Sequence, residues 1–180
     1  MIEGRPWIAL YSHTGSEICN IAKQLGFQPN LVITNNEQVN KKITAHTVKT
    51  SPRPSAIDYR TIFDTIDSNP IITLHGWMRI VPSEICNEYE IFNLHPGLIT
   101  QYPELKGKDP QEQVFNMLNI PQYVGCVIHR AVAEVDSGEI IMSRRVLNTY
   151  PSAQILSYAL HDMAGDMWVD FFEKKLYNKE

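Results

Sequence analysis

Asn93-Leu94-His95-Pro96-Gly97 sets a carboxamide and an imidazole two residues apart at the end of an apolar run. Ile91 to His95 reads as a short buried strand, and Pro96-Gly97 is a strong turn signal that stops it. Strand side chains alternate between faces, so Asn93 and His95 share one face while Phe92 and Leu94 point to the other. That pair at a strand end suits acyl-transfer chemistry: the amide N–H can donate to a developing oxyanion, and the imidazole can move protons near neutral pH. Downstream, Val135-Asp136-Ser137-Gly138 offers Asp136 as the missing carboxylate, although Asp and Gly are also favoured turn residues and the same stretch reads as a hairpin corner. His129, on an apolar strand, is expected to be a structural partner of the site, since a lone strand histidine usually makes one satisfying hydrogen bond.

The elements that must position these groups follow from periodicity. Trp7–Tyr11 and Asn30–Thr34 read as buried strands, with a helix between them that has Ser16 as its N-cap, runs to about Leu25 and stops at Gly26. A short third strand is expected around Thr44 to Val48, and a helix from Ser55 to about Asp67. Ile71–His75 is the next strand, Pro82–Glu88 a short helix with proline in its first turn, and residues 91–95 the strand that ends at the Asn-x-His pair. A loop from Gly97 to Lys108 leads to a helix from Asp109-Pro110 to about Leu118. Val124–Val132 and Glu139–Leu147 read as two longer strands joined through Asp136-Ser137-Gly138. Ser152–Lys175 closes the chain as an amphipathic helix with Ile155, Leu156, Ala159, Met163, Met167 and Phe171 at helical spacing. Strands alternating with helices predict a three-layer α/β fold, its sheet mainly parallel, with an antiparallel strand pair near the C-terminus. Ligands in such sheets bind at the carboxyl ends of the strands, where Asn93 and His95 sit.

At 180 residues the chain is expected to form one domain over 1–180. A net charge of −4 gives no support for nucleic-acid binding, and no run of 18 apolar residues suggests a membrane span. Met1 to Pro6 lacks an apolar signal core, and Ile2-Glu3-Gly4-Arg5 is taken as native or incidental although it spells a protease site. Cys19, Cys86 and Cys126 are widely spaced with no Cys-x-x-Cys, as expected of reduced thiols in a cytoplasmic protein that holds no metal.

The constellation resembles the folate-dependent formyltransferases, and within them the glycinamide ribonucleotide branch. That family carries an Asn-x-His-Pro strand end, then a Gly-x-x-x-His strand, and an Asp seven residues after that His. Asn93 to Pro96, Gly125 to His129 and the step from His129 to Asp136 match in order and spacing. Gly76-Trp77-Met78-Arg79-Ile80-Val81 is similar to the family's Gly-Phe-Met-Arg-Ile-Leu. The resemblance implies a Rossmann-like formyltransferase fold and transfer of the formyl group of 10-formyltetrahydrofolate, as co-substrate, to a primary amine. The amine it implies is glycinamide ribonucleotide, an acceptor of purine biosynthesis. Asn93 would donate to the oxyanion, His95 would shuttle a proton or steady the charge, and Asp136 would hold His95 and help take the amine's proton. Met78, Arg79, Ile80 and Val81 would wrap the pterin on one side, with the loop from Val132 to Gly138, including Val135 and Gly138, closing the other. No metal is implied, and the partners are the amine and the folate rather than nucleic acid or membrane.

Departures from the family pattern concern the acceptor. Its first strand is normally followed by Ser-Gly-x-Gly-Ser/Thr-Asn, whose amides face a phosphate at a helix N-terminus. Here the segment is Ser12-His13-Thr14-Gly15-Ser16-Glu17, with His13 for the first Gly and Glu17 for Asn. A carboxylate there complements the helix dipole but would repel a phosphate. His13, Gly15 and Ser16, with Arg145 from the last strand, are expected to form the acceptor site, while Arg144 points to the opposite face. His75 has no assigned role, and His13, His46 and His161 are expected at the surface. Another amine, such as an amino sugar or modified nucleotide, is the alternative acceptor; water as the acceptor, and a non-catalytic folate- or nucleotide-binding module, are further readings.

Overall fold

The computed structural model describes residues 4–66 and 69–177. The first strand, β1 (Trp7–Tyr11), is fully buried and leads through Ser12–Gly15 into α1 (Ser16–Leu25). Ser16 is the first helical residue rather than the cap. Gly15 caps α1 from a left-handed conformation (φ 62°), and Gly26 ends it in the same region (φ 75°). A Cβ on Gly15 would press on Tyr11 and Ile43 at 3.0–3.2 Å, so the sharp exit from β1 needs glycine.

Next come β2 (Leu31–Thr34) and β3 (Thr47–Lys49), the latter starting three residues later than the sequence indicates, with Thr44 to His46 outside it. Helix α2 (Ala56–Phe63) opens with a complete capping box between Ser55 and Asp58. It ends before the expected position; Asp67 lies outside the described residues. β4 (Ile71–His75), α3 (Ser83–Glu88) and β5 (Glu90–His95) follow, with Pro82 capping α3 rather than inside it. Within the expected loop sits a single 3-10 turn, Pro103–Leu105, and α4 (Pro110–Asn116) stops short of Leu118, which is fully exposed. The strands β6 (Tyr123–Arg130) and β7 (Ile140–Leu147) precede α5 (Ala153–Tyr177).

The seven strands form one sheet in the order β3-β2-β1-β4-β5-β6-β7. β1 to β5 run parallel, while β6 and β7 pair antiparallel onto β5. After β3 the chain returns to the other side of β1 to build β4, so the strand order reverses between β1 and β4. In doubly wound sheets ligands bind in the crevice outside the carboxyl ends at such a point.

Alternation along the strands divides the core. Ile8, Leu10, Ile72, Leu74 and Ile91 face α2 and α3 together with Tyr59 and Phe63. Trp7, Ala9, Ile71 and Phe92 face α1 and α5. Helix α5 seats Leu156, Met167, Trp168, Phe171 and Phe172 there; Ile155, expected on this stripe, is instead 45% exposed. Burying each large apolar side chain is worth roughly 1.5–3 kcal/mol, and the Trp7–Phe172 ring contact at 4.6 Å ties the first strand to the last helix. No helix among the described residues is long and apolar enough to cross a membrane. Cys86 and Cys126 are buried thiols and Cys19 is half-buried; none is in a disulfide.

Candidate active site

Asn93 and His95 lie on the face of β5 that carries Ile91, and β6 brings its own residues onto the same face through the pairings Asn93↔His129 and His95↔Val127. Asp136 arrives from the β6–β7 connection. It holds a left-handed backbone (φ 50°), which costs a non-glycine residue energy and turns its side chain back over the sheet. Gly138 completes the turn where a Cβ would lie 1.8 Å from the Arg130 carbonyl oxygen, so the chain can only pass there as glycine. The tetrapeptide is thus both a corner between strands and the support of a carboxylate.

Asp136 is buried, and each of its oxygens is engaged. Oδ2 lies 3.1 Å from His95 Nδ1 and accepts from the Gly107 amide at 2.9 Å. Oδ1 lies 3.2 Å from His129 Nε2 and 3.5 Å from Asn93 Nδ2. Burial alone would raise this carboxyl, but hydrogen bonds from His129 and His95, the charge of His95 and the Gly107 amide outweigh it and hold the group far below the ordinary carboxylate range. His129 also meets Asn93 Nδ2 at 3.2 Å and donates from Nδ1 to the Arg130 carbonyl at 3.0 Å. Its Nε2 offers either one hydrogen or one lone pair, so it can serve the carboxylate or the amide but not both at once.

His95 has acceptors at both nitrogens. Nε2 donates to the Leu105 carbonyl at 2.7 Å, while Nδ1 faces Asp136. Sequence reasoning missed this contact and the strap that makes it: Leu105 O holds His95, Lys106 Nζ reaches Ser137 Oγ at 2.7 Å, and Gly107 N reaches Asp136. Pro103 starting a tight turn was the available signal. Asn93 is the half-buried member of the trio, while His95 and Asp136 are buried beneath it.

At the strand-order reversal, the β1 exit loop and the β4 exit loop are laced together. Ser12 N donates to Gly76 O at 3.3 Å, and Met78 N donates to Ser12 Oγ at 2.9 Å. Ser12, His13, Met78 and Arg79, with Asn35 to Gln38 after β2, line one cleft of about 530 Å³. The two segments singled out for folate and for acceptor thus share a wall. Met78 (47%), Ile80 (74%) and Val135 (49%) expose apolar side chains, whereas Val81 and Trp77 are core. Exposed apolar groups beside amide-bearing turns suit a flat, amide-like ring. Arg79 donates to Pro52 O and Met78 O, which fixes its guanidinium at the rim.

Other expected members part company. Gly15 ends the β1 exit loop and Ser16 opens α1; the loop carbonyls at His13 and Thr14 accept from Asn36 and Asn40 at 2.6 Å each. Arg145 is not brought to that loop. It stands on edge strand β7 with its guanidinium 4.8 Å from the Tyr123 ring centre, and three strands separate it from β1. Four interstrand spacings amount to about 19 Å, beyond a side chain's reach. Arg144 does point to the opposite face, where it pairs with Asp170. Glu17 lies in the first turn of α1 but does not face the pocket: its Oε2 sits 2.5 Å from Nδ1 of buried His75. The expected phosphate-repelling carboxylate and the histidine without a role are partners. His13, His46 and His161 are exposed.

The family described as Formyl transferase matches residues 18–165, a span that includes Met78–Val81, Asn93, His95 and Asp136 and begins after the β1 exit loop. Phosphoribosylglycinamide formyltransferase of Dictyostelium discoideum is 33% identical over 99 residues, covering 50% of this chain and 47% of that protein. The trifunctional purine biosynthetic protein adenosine-3 of Bos taurus is 33% identical over 96 residues, 48% of this chain and 9% of its own length. The chain therefore spans about half the length of the first of these relatives and under a tenth of the second. Among solved structures, phosphoribosylglycinamide formyltransferase from Coxiella burnetii superposes with a TM-score of 0.80 at 21% identity, covering 96% of this chain and 87% of that one. The enzyme of the same name from Anaplasma phagocytophilum gives 0.79 at 24% identity, covering 92% and 84%. At these identities the structural likeness is one of fold.

Proposed function

We propose, for a chain that belongs to the formyl transferase family, that it moves the formyl group of 10-formyltetrahydrofolate onto a primary amine, and that the amine is glycinamide ribonucleotide. The observation that carries this reading is the convergence of Asn93, His95 and Asp136 at the carboxyl end of β5. A binding module has no need of a carboxamide and a buried carboxylate–histidine pair gathered at one strand end.

Asn93 Nδ2 donates to the formyl oxygen as negative charge collects there during attack by the amine, an oxyanion role that positioned donors fill without a covalent enzyme intermediate. Asp136, held anionic, draws the proton that the amine gives up, through water or directly. As the tetrahedral intermediate collapses, the bond from the formyl carbon to folate N10 breaks, that proton passes to N10, and tetrahydrofolate leaves. His95, shared between Asp136 and the Leu105 carbonyl, steadies that carboxylate; its own donation to the oxyanion requires the Leu105–Gly107 strap to release Nε2. His129 Nε2 sits between the amide and the carboxylate, 3.2 Å from each. Met78, Arg79 and Ile80, with Val135 and Gly138, would hold the pterin, and Val81, expected among them, backs them from the core. The folate supplies the formyl carbon when bound, and the chain's part is to orient it and exclude water.

His13, Gly15 and Ser16 would take the acceptor's phosphate. β4 lies between the loop after β1 and β5, so the loop and Asn93 are two interstrand spacings apart, about 10 Å. A phosphorylated pentose bearing a glycyl amine can bridge that span. Arg145 is left out of this site because of its place on β7. The names of the relatives, which act on phosphoribosylglycinamide, support the choice of acceptor. His13 in place of the family's glycine is the one feature favouring a different amine.

Incubation with 10-formyltetrahydrofolate and glycinamide ribonucleotide, following both tetrahydrofolate and formylated product, tests the proposal. Stoichiometric formation of both is expected. Tetrahydrofolate with free formate would mean that water is the acceptor; neither product would overturn the reading.

A further inference from the structure

Glu17 departs from the family's loop pattern and His75 has no role assigned by it, and the fold brings the two into contact. His75 is buried on the α1–α5 face of β4, its ring 4.9 Å from that of Trp168 and 6.3 Å from that of Trp7. A hydrogen-bond chain passes through it. Trp7 Nε1, which can only donate, reaches Thr73 Oγ1 at 2.7 Å. Thr73 Oγ1 lies 2.8 Å from His75 Nε2, against 3.5 Å from the Ile8 carbonyl, so its hydrogen goes to the ring. With Nε2 an acceptor, the ring proton sits on Nδ1 and donates to Glu17 Oε2 at 2.5 Å. The Glu17 side chain is only 14% exposed. Its carboxylate lies inward enough that it adds to the burial that pushes the Cys126 thiol up to about 12.

We propose that His75 is a positioning residue for the acceptor loop: it turns the Glu17 carboxylate away from the outer face of Ser12–Ser16, so that this loop can take an anionic acceptor group. The inference rests on the proposed phosphate-bearing acceptor. Without His75 the carboxylate loses its buried donor and turns to solvent beside the loop, where like charge opposes the ligand. The relay from Trp7 makes this orientation a property of the core rather than of the loop.

The test titrates ribose 5-phosphate by calorimetry into the wild type, His75→Ala, Glu17→Gln and the double variant, with glycinamide ribonucleotide kinetics alongside. His75→Ala should weaken ribose 5-phosphate binding and raise KM for the acceptor at least about tenfold. Its kcat and folate affinity should stay within about twofold. Glu17→Gln in the His75→Ala background should restore binding, because the repelling charge is gone; a merely structural histidine would leave the double variant as weak as the single. Glu17→Gln alone should bind ribose 5-phosphate at least as tightly as the wild type, which gives a second comparison should His75→Ala not fold. Unchanged binding in His75→Ala, absence of rescue, or weakened binding in Glu17→Gln would overturn the role. A wild type that binds ribose 5-phosphate without formylating glycinamide ribonucleotide would overturn the acceptor identity alone, with the His75 comparison still read on ribose 5-phosphate. Neither binding nor turnover would overturn both.

Discussion

Asp136 Oδ2 sits 3.1 Å from His95 Nδ1 although the two residues belong to different elements, one ending β5 and the other in the turn after β6. The contact depends on the left-handed backbone at Asp136 and on Gly138 passing under Arg130. Gly138→Ala would force a Cβ into the Arg130 carbonyl, and backbone cannot rotate away as a side chain can. A stability loss of about 2–3 kcal/mol is expected, with turnover falling because Asp136 shifts. Thermal melts and a single-turnover assay measure the two effects; wild-type values in both would mean that the turn adapts.

Asn93→Ala removes the half-buried donor of the trio. Loss of one oxyanion donor typically costs on the order of a hundredfold or more in kcat, with KM for either substrate little changed. A raised KM at unchanged kcat would place Asn93 in ground-state binding instead.

The charged Asp136 stabilises the fold, because its carboxyl is held below its ordinary value of 3.8. That contribution is complete above about pH 5 and is lost as pH falls below 3.8 toward the depressed native value, where the unfolded chain binds the proton first. Asp136→Asn should therefore be less stable than the wild type at neutral pH by about 1–3 kcal/mol. The gap should narrow as acid is added. Denaturant titrations of both proteins between pH 7 and pH 3 would show it; a gap that widens in acid contradicts the assignment. Turnover by Asp136→Asn should fall at least as far as with Asn93→Ala, and combining the two should be non-additive.

Arg145→Ala is expected to leave KM for the acceptor unchanged, since β4, β5 and β6 lie between its strand and the β1 exit loop. Only the stacking on Tyr123 is lost, worth about 0.5–1 kcal/mol at an exposed site. A several-fold rise in KM would return Arg145 to the acceptor site.

Local chemistry in the sequence determined much of this protein. Apolar runs of strand length at Trp7–Tyr11 and Ile71–His75 marked β1 and β4 to the residue, because a strand buried on both faces has no other way to be written. The order of elements and the Asn-x-His strand end were legible for the same reason: periodicity and turn chemistry act over a few residues. Thr47–Lys49 lies off its expected position because a short, half-exposed edge strand carries little apolar signal, and Ile155 faces solvent because helical spacing alone does not say which turns of α5 overhang the core.

Tertiary structure alone decided what the polar groups meet. That His95 gives its Nε2 to Leu105, that Arg145 stands on the far strand, and that Glu17 turns inward to His75 are consequences of strand order and register. A charge written beside a loop reads as facing it; whether it does depends on a donor that the chain places 58 residues away. Burial strongly favours such pairings, because an unpartnered polar group in a close-packed interior costs about 1–3 kcal/mol.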